Sequence, residues 1–355
     1  MDAITLHEVA VLRLVAQRLA DPGFTSAAEA VRWLTAVQAQ DYHGALTSVA
    51  LRTTDRSRAG VEAALDAGEV VRSWPMRGTL HFVAAEDLRW MLELMTPRVL
   101  SAAASRRRQL SLDAGALERA RHIAGEALAG GRRLSRAELF SVWDADGLST
   151  AGQRGYHMLW HLAQTGLLCF GPVRDREQLV VLVEEWITDS RHPGRNQALG
   201  ELAWRYFASH GPASLKDFMR WTKLVAADAR SGLALAKPRL ARVEVEGGEH
   251  FMHPETPELL EACRAAAAGV FLLPGFDEFI LGYEDRTAVV AAEFASLLVP
   301  GANGMFRPVV VIDGRVVGTW RHVGSGARRR LEVVPFAPLA DEVTDAVAEV
   351  YATLP

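Results

Sequence analysis

The chain has 355 residues, more than a single hydrophobic core usually supports, so two or more packed units are expected. With 49% hydrophobic, 8% aromatic and 23% charged residues, the composition excludes a disordered or fibrous protein. The net charge of −4 argues against a protein that coats nucleic acid through global attraction. Any contact with DNA must therefore be local.

The cysteine content and the N-terminus bear on the cellular compartment. Only Cys169 and Cys263 occur, far apart and each in an apolar segment, so neither a disulfide framework nor a thiolate metal site is expected. The N-terminus lacks a basic n-region, and no apolar run reaches the roughly 20 residues that span a bilayer. We therefore expect a cytoplasmic monomer that uses no membrane, metal or cofactor.

The N-terminal part predicts amphipathic helices followed by strands. Apolar residues recur at helical spacing from His7 to Leu19, from Ser26 to about Val37 and from Leu46 to Arg52. The segment from Val70 to Val83 predicts strands. We interpret residues 1–130 as a first, less regular winged-helix module.

Residues 131–192 predict the order helix, turn, helix and hairpin of a winged helix. Ser135 is a candidate N-cap for a helix from Arg136 to Val142, and a second helix runs from Thr150 to Gln164, where Gly166 ends it. The predicted hairpin consists of Leu167 to Phe170, the charged loop Arg174-Asp175-Arg176-Glu177, and Leu179 to Val183.

Residues 193–265 repeat this order. After Pro193-Gly194, a helix is predicted from Asn196 to Ser209, and Ser214 is a candidate cap for a helix from Leu215 to Trp221. The remaining predicted elements are a helix from Ala226 to Leu235 and a hairpin of Leu240 to Glu246 and His250 to His253, joined by Gly247-Gly248.

The C-terminal part, residues 266–355, is richer in strands. The predicted elements are the strands Arg307 to Ile312, Arg315 to His322 and Arg329 to Val334, the turns Asp313-Gly314 and Gly324-Ser325-Gly326, and a helix from Ala340 to Tyr351. The sequence thus predicts an α+β fold with three tandem winged-helix modules and a β-rich C-terminal unit.

Winged helices most often place their second helix in the major groove of duplex DNA, although many such helices only pack against a core. The residues predicted to face DNA are Arg154, Gln153 and His157 on one such helix, and Lys216, Arg220 and Lys223 on the other. His157 and His161 also have metal-ligand spacing, but Met158 stands where a zinc protease needs Glu, so we expect a packed face.

Two glutamines and a carboxylate follow an amphipathic helix in the run Gln38-Ala39-Gln40-Asp41. Residues two apart share a face of extended chain but lie about 200° apart around a helix. Gln38 and Gln40 can therefore converge only where the helix ends, and Gly44 is a candidate end. By itself, the run also fits a polar helix terminus.

Residues 33–45, which contain this run, resemble the catalytic signature of the AlkZ and YcaQ family of bacterial winged-helix DNA glycosylases. The stretches Arg72-Ser73-Trp74-Pro75-Met76-Arg77-Gly78-Thr79-Leu80-His81 and Leu273-Pro274-Gly275-Phe276-Asp277-Glu278-Phe279-Ile280-Leu281-Gly282-Tyr283 are similar to the same family. The resemblance, which covers nearly the whole chain, implies a C-shaped protein with a barrel-like C-terminal unit. It also implies that Gln38 and Gln40 are catalytic residues at the base of a DNA-binding concavity.

The chemistry of a glutamine site restricts the substrate. A neutral amide is too weak a base to deprotonate water, but it can accept a hydrogen bond from water and aim its oxygen. The base must therefore already be a good leaving group, as N7-alkylguanine and N3-alkyladenine are. We expect a monofunctional glycosylase acting on double-stranded DNA with alkylated bases, and the resemblance adds bulky adducts and interstrand crosslinks.

Further candidate residues have alternative interpretations. Asp41 and Asp277 could stabilise positive charge on the sugar, but Asp41 could instead bond to backbone and Asp277 could pair with an arginine. Arg77, Thr79 and His81 alternate on a predicted strand and could contact DNA or form an internal polar network. The C-terminal strands add Arg321 and His322 as candidate DNA contacts.

Two alternatives to an active glycosylase remain open at this point. A winged-helix transcription regulator would bind DNA without catalysis and is expected to be a dimer with a symmetric site. A glycosylase-derived protein could bind damaged DNA without turnover, although the intact Gln38 and Gln40 argue against it. The sequence does not determine which adduct is removed.

Overall fold

The computed structural model describes residues 3–175, 177–324 and 326–355 and has mixed helix and sheet. The chain divides into two compact units. The first contains the chain up to Arg58 and from Leu199 onward, and the second contains Ala59–Ala198. Arg176 and Ser325, which belong to two predicted turns, lie outside the described residues.

The N-terminal helices of the first unit are Leu6–Ala16, Ala27–Leu34 and Tyr42–Ala50. The second helix ends three residues earlier than predicted because Thr35 adopts a positive φ of 71°. The third begins four residues earlier than predicted, directly after Asp41. The prediction that Gly44 ends a helix is therefore wrong, since this residue lies inside the third helix.

The remaining elements of the first unit include predicted helices and hairpins, together with the unpredicted helices Thr256–Ala267, Glu278–Leu281 and Ala295–Leu298. A helix at the boundary, Arg195–His210, leads into it. The later helices are Leu215–Thr222, Ala226–Ala236, Thr256–Ala267, Glu278–Leu281, Ala295–Leu298 and Asp341–Ala352. The strands are Ala241–Val245, Gly248–Met252, Val270–Leu273, Val309–Ile312, Arg315–Val323 and Arg330–Pro335.

The C-terminal meander gains a fourth strand. In the described residues its antiparallel order is Arg330–Pro335, Arg315–Val323, Val309–Ile312 and Val270–Leu273, which is an open sheet rather than the expected barrel-like closure. The sequence did not reveal the strand Val270–Leu273, because a four-residue apolar run has no diagnostic periodicity.

The N-terminal helix is buried by the C-terminal half of its unit. Its residues from Val9 to Ala16 are all at most 5% exposed. They share a hydrophobic cluster with residues including Val245, Leu273, Val289 and Val309. Because fully burying such a side chain contributes about 1.5–3 kcal/mol, this packing makes the two chain segments one structural unit.

The second unit combines helices with antiparallel strands. Its helices are Arg58–Asp66, Leu88–Ala102, Ala104–Gln109, Ala114–Leu128, Arg136–Ala145, Arg154–Gln164 and Val183–Trp186. Its strands lie in the order Thr79–Ala84, Val70–Met76, Leu168–Arg174 and Glu177–Leu182.

Local chemistry explains the helix boundaries in this unit. Ser135 and Glu138 form the capping box of Arg136–Ala145, which confirms the predicted cap. The next helix begins at Arg154 rather than Thr150, because Gly152 and Gln153 have positive φ angles of 62° and 74°. In the described ranges, no helix is long and apolar enough to cross a bilayer.

Candidate active site

The glutamine run lies between two helices, with Val37–Gln38 in a short strand and Gln40 in a bend. Val37 and Ala39 are 0% exposed, whereas Gln38 is half-buried and Gln40 is exposed. Side chains alternate between the two faces of extended chain, so two residues separated by one position share a face there. The burial of Val37 and Ala39 beside half-buried Gln38 and exposed Gln40 is the pattern expected if the two amides share a face.

A buried carboxylate holds the backbone of this run. The Gln38 N–H donates to Oε1 of Glu278 at 3.3 Å, and Nε1 of Trp221 donates to Oε2 at 2.8 Å. Glu278 is 0% exposed, and Nε2 of His210 lies 3.5 Å from its Oε2. Burial lowers the pKa of His210, so this imidazole is neutral near pH 7. Glu278 therefore holds the backbone of the run at Gln38.

Asp277 lies beside this carboxylate but has a different role. Its two oxygens accept from Nη1 and Nη2 of Arg52 at 3.0 and 2.9 Å, and both side chains are 0% exposed. Ser48 donates to Oδ2 at 2.6 Å, and the Phe279 N–H donates to Oδ1 at 2.9 Å. These contacts support the alternative in which Asp277 pairs with an arginine and joins the helix Tyr42–Ala50 to the segment that carries Glu278.

Asp41 ends the glutamine run and precedes the helix Tyr42–Ala50 without capping it through its side chain. Its carboxylate occupies the space beside Gly44, where an added Cβ would lie 2.5 Å from Oδ2 of Asp41 and 3.4 Å from the Gly275 carbonyl oxygen. Gly44 therefore leaves room for the Asp41 carboxylate, and it does not end a helix as the sequence suggested.

This close approach leads to a stability prediction. Glycine is about 1 kcal/mol worse than alanine inside a helix, so Gly125→Ala, with nothing within 4 Å of the new Cβ, should stabilise the protein by about that amount. Gly44→Ala should give no such gain, because Asp41 must move. The free energy of unfolding in urea measures both variants. Equal stabilisation by the two substitutions would show that Asp41 is not held beside Gly44.

The structure brings Asp41 together with two predicted C-terminal residues. Asp41, Arg321 and His322 line one cavity of about 570 Å³ in the first unit. Arg321 forms a bidentate pair with Glu332, at 2.7 and 3.0 Å, and Nδ1 of His322 lies 2.9 Å from the Tyr351 hydroxyl. Residues about 280 positions apart thus meet at the end of the glutamine run.

Comparisons with known proteins agree with these features. The family model described as DNA glycosylase AlkZ-like matches residues 31–354. The chain belongs to the AlkZ-like DNA glycosylase family. It is 31% identical over 328 residues to the interstrand DNA cross-link repair glycosylase of Streptomyces sahachiroi, covering 88% of this chain and 85% of that protein.

A solved structure extends the similarity to the fold. The chain is similar to the Streptomyces sahachiroi DNA glycosylase AlkZ with a TM-score of 0.81 and 28% identity, covering 99% of this chain and 96% of that one. Membership of the AlkZ-like family confirms the resemblance read from the motifs and makes the protein a DNA glycosylase with DNA as its substrate. It does not favour a regulator without catalytic activity.

Arg77 and His81, two predicted DNA contacts of the second unit, are hydrogen-bonded to each other. Arg77 lies in the turn between two strands, with φ 56°, and not on a strand as expected. Its Nη2 donates to Nε2 of His81 at 2.8 Å. His81 is 0% exposed, and its Nδ1 lies 2.8 Å from the Thr79 carbonyl oxygen. These contacts support the internal polar network that the sequence left open, in which His81 orients Arg77.

The cations of the helix Leu215–Thr222 are on the surface. Lys216, Arg220 and Lys223 are exposed, and Lys223 follows the helix with φ 59°. Nε of Arg220 lies 2.7 Å from Oε2 of Glu284, so part of its charge is already compensated. The three residues stay candidate DNA contacts.

Sequence reasoning missed several residues that the site depends on. Arg52 carries no signal in the sequence, because a lone arginine after a helix is usually a surface residue. Trp221 was predicted only as the end of a helix, and His210 was in no predicted element. Glu278 was noted for its position in an apolar stretch, but its contact with Gln38 depends on residues 240 positions apart.

Proposed function

We propose that the protein is a monofunctional glycosylase that excises alkylated purines from double-stranded DNA, with Gln38 and Gln40 as its catalytic residues. The observation that supports this proposal is the hydrogen bond from the Gln38 N–H to buried Glu278, which holds the backbone of the run that carries both amides. Orienting a water molecule requires side chains in a fixed position more than it requires a strong base. A backbone held by a hydrogen bond helps to fix that position.

The proposed reaction is hydrolysis of the bond between C1′ and the purine nitrogen. The glutamine carbonyls accept hydrogen bonds from a water molecule whose oxygen attacks C1′. The C1′–N bond breaks, and its electron pair neutralises the positive charge on the N7- or N3-alkylated base. The water proton passes to solvent, and the products are a free alkylpurine and an abasic site.

The substrates proposed here include interstrand crosslinks. A crosslink through purine N7 atoms leaves the same cationic base as a simple N7 adduct, so the same water attack releases one end of it. The Streptomyces sahachiroi relative is named for the repair of such crosslinks. Asp41, at the cavity beside the run, is proposed to stabilise the developing positive charge on the sugar.

The protein is proposed to bind DNA through three winged-helix modules. It is also proposed to be a monomer and to act in the cytoplasm. The order helix, helix and hairpin within residues 136–182, and its recurrence within residues 195–252, support the second and third modules. The boundaries at residues 130, 192 and 265 stay predictions. The proposed DNA contacts are Arg77, Thr79, Arg154, Lys216, Arg220, Lys223, Arg321 and His322; the predicted contact His81 is dropped because its side chain is 0% exposed.

The test is base release from a duplex oligonucleotide with a single N7-methylguanine, and from the same duplex with a bulky N7 adduct. We expect release of the free base, with strand breakage only after heat or alkali reveals the abasic site. No release from either duplex would contradict the proposed substrates. Strand breakage by the enzyme without alkali would contradict a monofunctional mechanism.

A further inference from the structure

Five arginines gather around one helix of the second unit, and we call them the arginine face. They are Arg106, Arg107 and Arg108 of the helix Ala104–Gln109, Arg121 of Ala114–Leu128, and Arg154 at the start of Arg154–Gln164. Apart from Arg154, none of the five belongs to the DNA contacts predicted from the sequence.

Hydrogen bonds bring these side chains together. Nη2 of Arg106 donates to Oε1 of Gln153 at 2.6 Å, just before the helix Arg154–Gln164. Nη1 of Arg154 donates back to the Ser111 carbonyl oxygen at 2.9 Å. At the far end of the same helix, Nη2 of Arg121 donates to the Thr165 hydroxyl at 2.8 Å. The arginine face therefore follows the length of this helix.

The hydrogen-bond partners of the arginine face are uncharged, whereas several other surface arginines are paired with carboxylates. In the part of the chain that the structure describes, the partners of its five members are carbonyl, amide or hydroxyl oxygens, and Arg108 is exposed without any. Elsewhere, Arg174, Arg242 and Arg264 each pair with a glutamate. Uncompensated like charges repel each other, so the arginine face is electrostatically ready for an anionic partner.

The positive potential of the arginine face contributes to lowering the pKa of two histidines on the same helix. Burial, with added repulsion from Arg107 and Arg121, lowers the pKa of His161 to about 4. Burial and the charge of Arg106 lower the pKa of His157 as well. Both imidazoles are neutral near pH 7, so the positive charge of this surface comes from guanidinium groups whose charge does not depend on pH in this range.

We propose that the arginine face binds the phosphate backbone of duplex DNA and supplies affinity that is independent of base sequence and of damage. Guanidinium groups match phosphate geometry, and phosphate contacts position a protein without reading bases. Such affinity suits an enzyme that must search undamaged DNA for rare lesions. The proposal goes beyond the glycosylase reaction, because it concerns binding to intact DNA.

The test measures the affinity for an undamaged duplex oligonucleotide between about 50 and 200 mM salt. The variant Arg106→Gln/Arg108→Gln removes two exposed cations of the arginine face. The matched control Arg174→Gln/Arg242→Gln removes two exposed cations that are paired with glutamates. We expect the first variant to reduce the slope of log K against log salt by about 2 and the control to change it little.

Two further measurements make the result unambiguous. Arg106→Lys/Arg108→Lys should recover most of the slope, because the charge is retained, and the melting temperature shows whether each variant is folded. Equal slopes for the wild type and the glutamine variant would overturn the proposal. Because the duplex carries no lesion, this outcome is independent of whether the protein releases alkylated bases, which is measured separately by base release at saturating enzyme.

Discussion

Gln38→Ala and Gln40→Ala are each expected to lower the single-turnover rate of base release by about 100-fold, while the affinity for DNA changes little. The amides orient water and contribute nothing to the charge that attracts DNA, so their loss should appear in the chemical step. The rate is measured at saturating enzyme on the N7-methylguanine duplex.

The control for this prediction is Gln197→Ala, which removes an exposed amide on the helix Arg195–His210. This variant should retain the wild-type rate. Gln38→Asn keeps the amide but places it one methylene closer to the backbone. If Gln38 orients the water, this variant should also lose most of the rate of base release. Wild-type rates for both alanine variants would mean that the run Gln38-Ala39-Gln40 is not the catalytic site.

Arg52→Met is expected to destabilise the first unit by about 3 kcal/mol or more. The substitution leaves the Asp277 carboxylate, which is 0% exposed, without the guanidinium that contacts both of its oxygens. It also removes the hydrogen bonds that Arg52 donates to Gln17 and Ser48. Urea unfolding measures the loss of stability.

A double substitution separates this charge effect from simple packing. Asp277→Asn in the Arg52→Met background removes the orphaned charge but keeps an oxygen for the Phe279 N–H, so it should recover about 1 kcal/mol or more. Arg264→Met, which breaks an exposed pair with Glu261, should cost only about 0–1 kcal/mol. If the double variant is no more stable than Arg52→Met, the buried pair is not the reason for the loss.

Local signals determined most of the secondary structure. Ser135 and Ser214 each cap a helix as predicted, and each forms a capping box with the Glu or Asp three residues later, which needs no distant partner. Gly166, with φ 79°, ends the helix Arg154–Gln164 as expected. The run with Gln38 and Gln40 and the motifs around it were sufficient to recognise the family before any fold was known.

Local signals failed where a backbone angle or a short strand mattered. Thr35 and Gln153 take positive φ values that their residue types do not announce, and both shift a helix boundary by several residues. The strand Val270–Leu273 is defined by its pairing with Val309–Ile312, and four apolar residues alone do not reveal it. The open order of the sheet likewise follows from pairing and not from composition.

The sequence by itself indicated the family, the capped helices and hairpins of residues 131–265, and the run that carries the two candidate catalytic amides. Only the tertiary structure decided that the N-terminal helices share a unit with residues 199–355, that Glu278 anchors Gln38, and that Arg52 pairs with Asp277. The physical reason is the sequence separation over which each kind of interaction acts. Capping, turns and alternation act between residues a few positions apart, whereas burial and charge pairing act between residues that only the folded chain brings together.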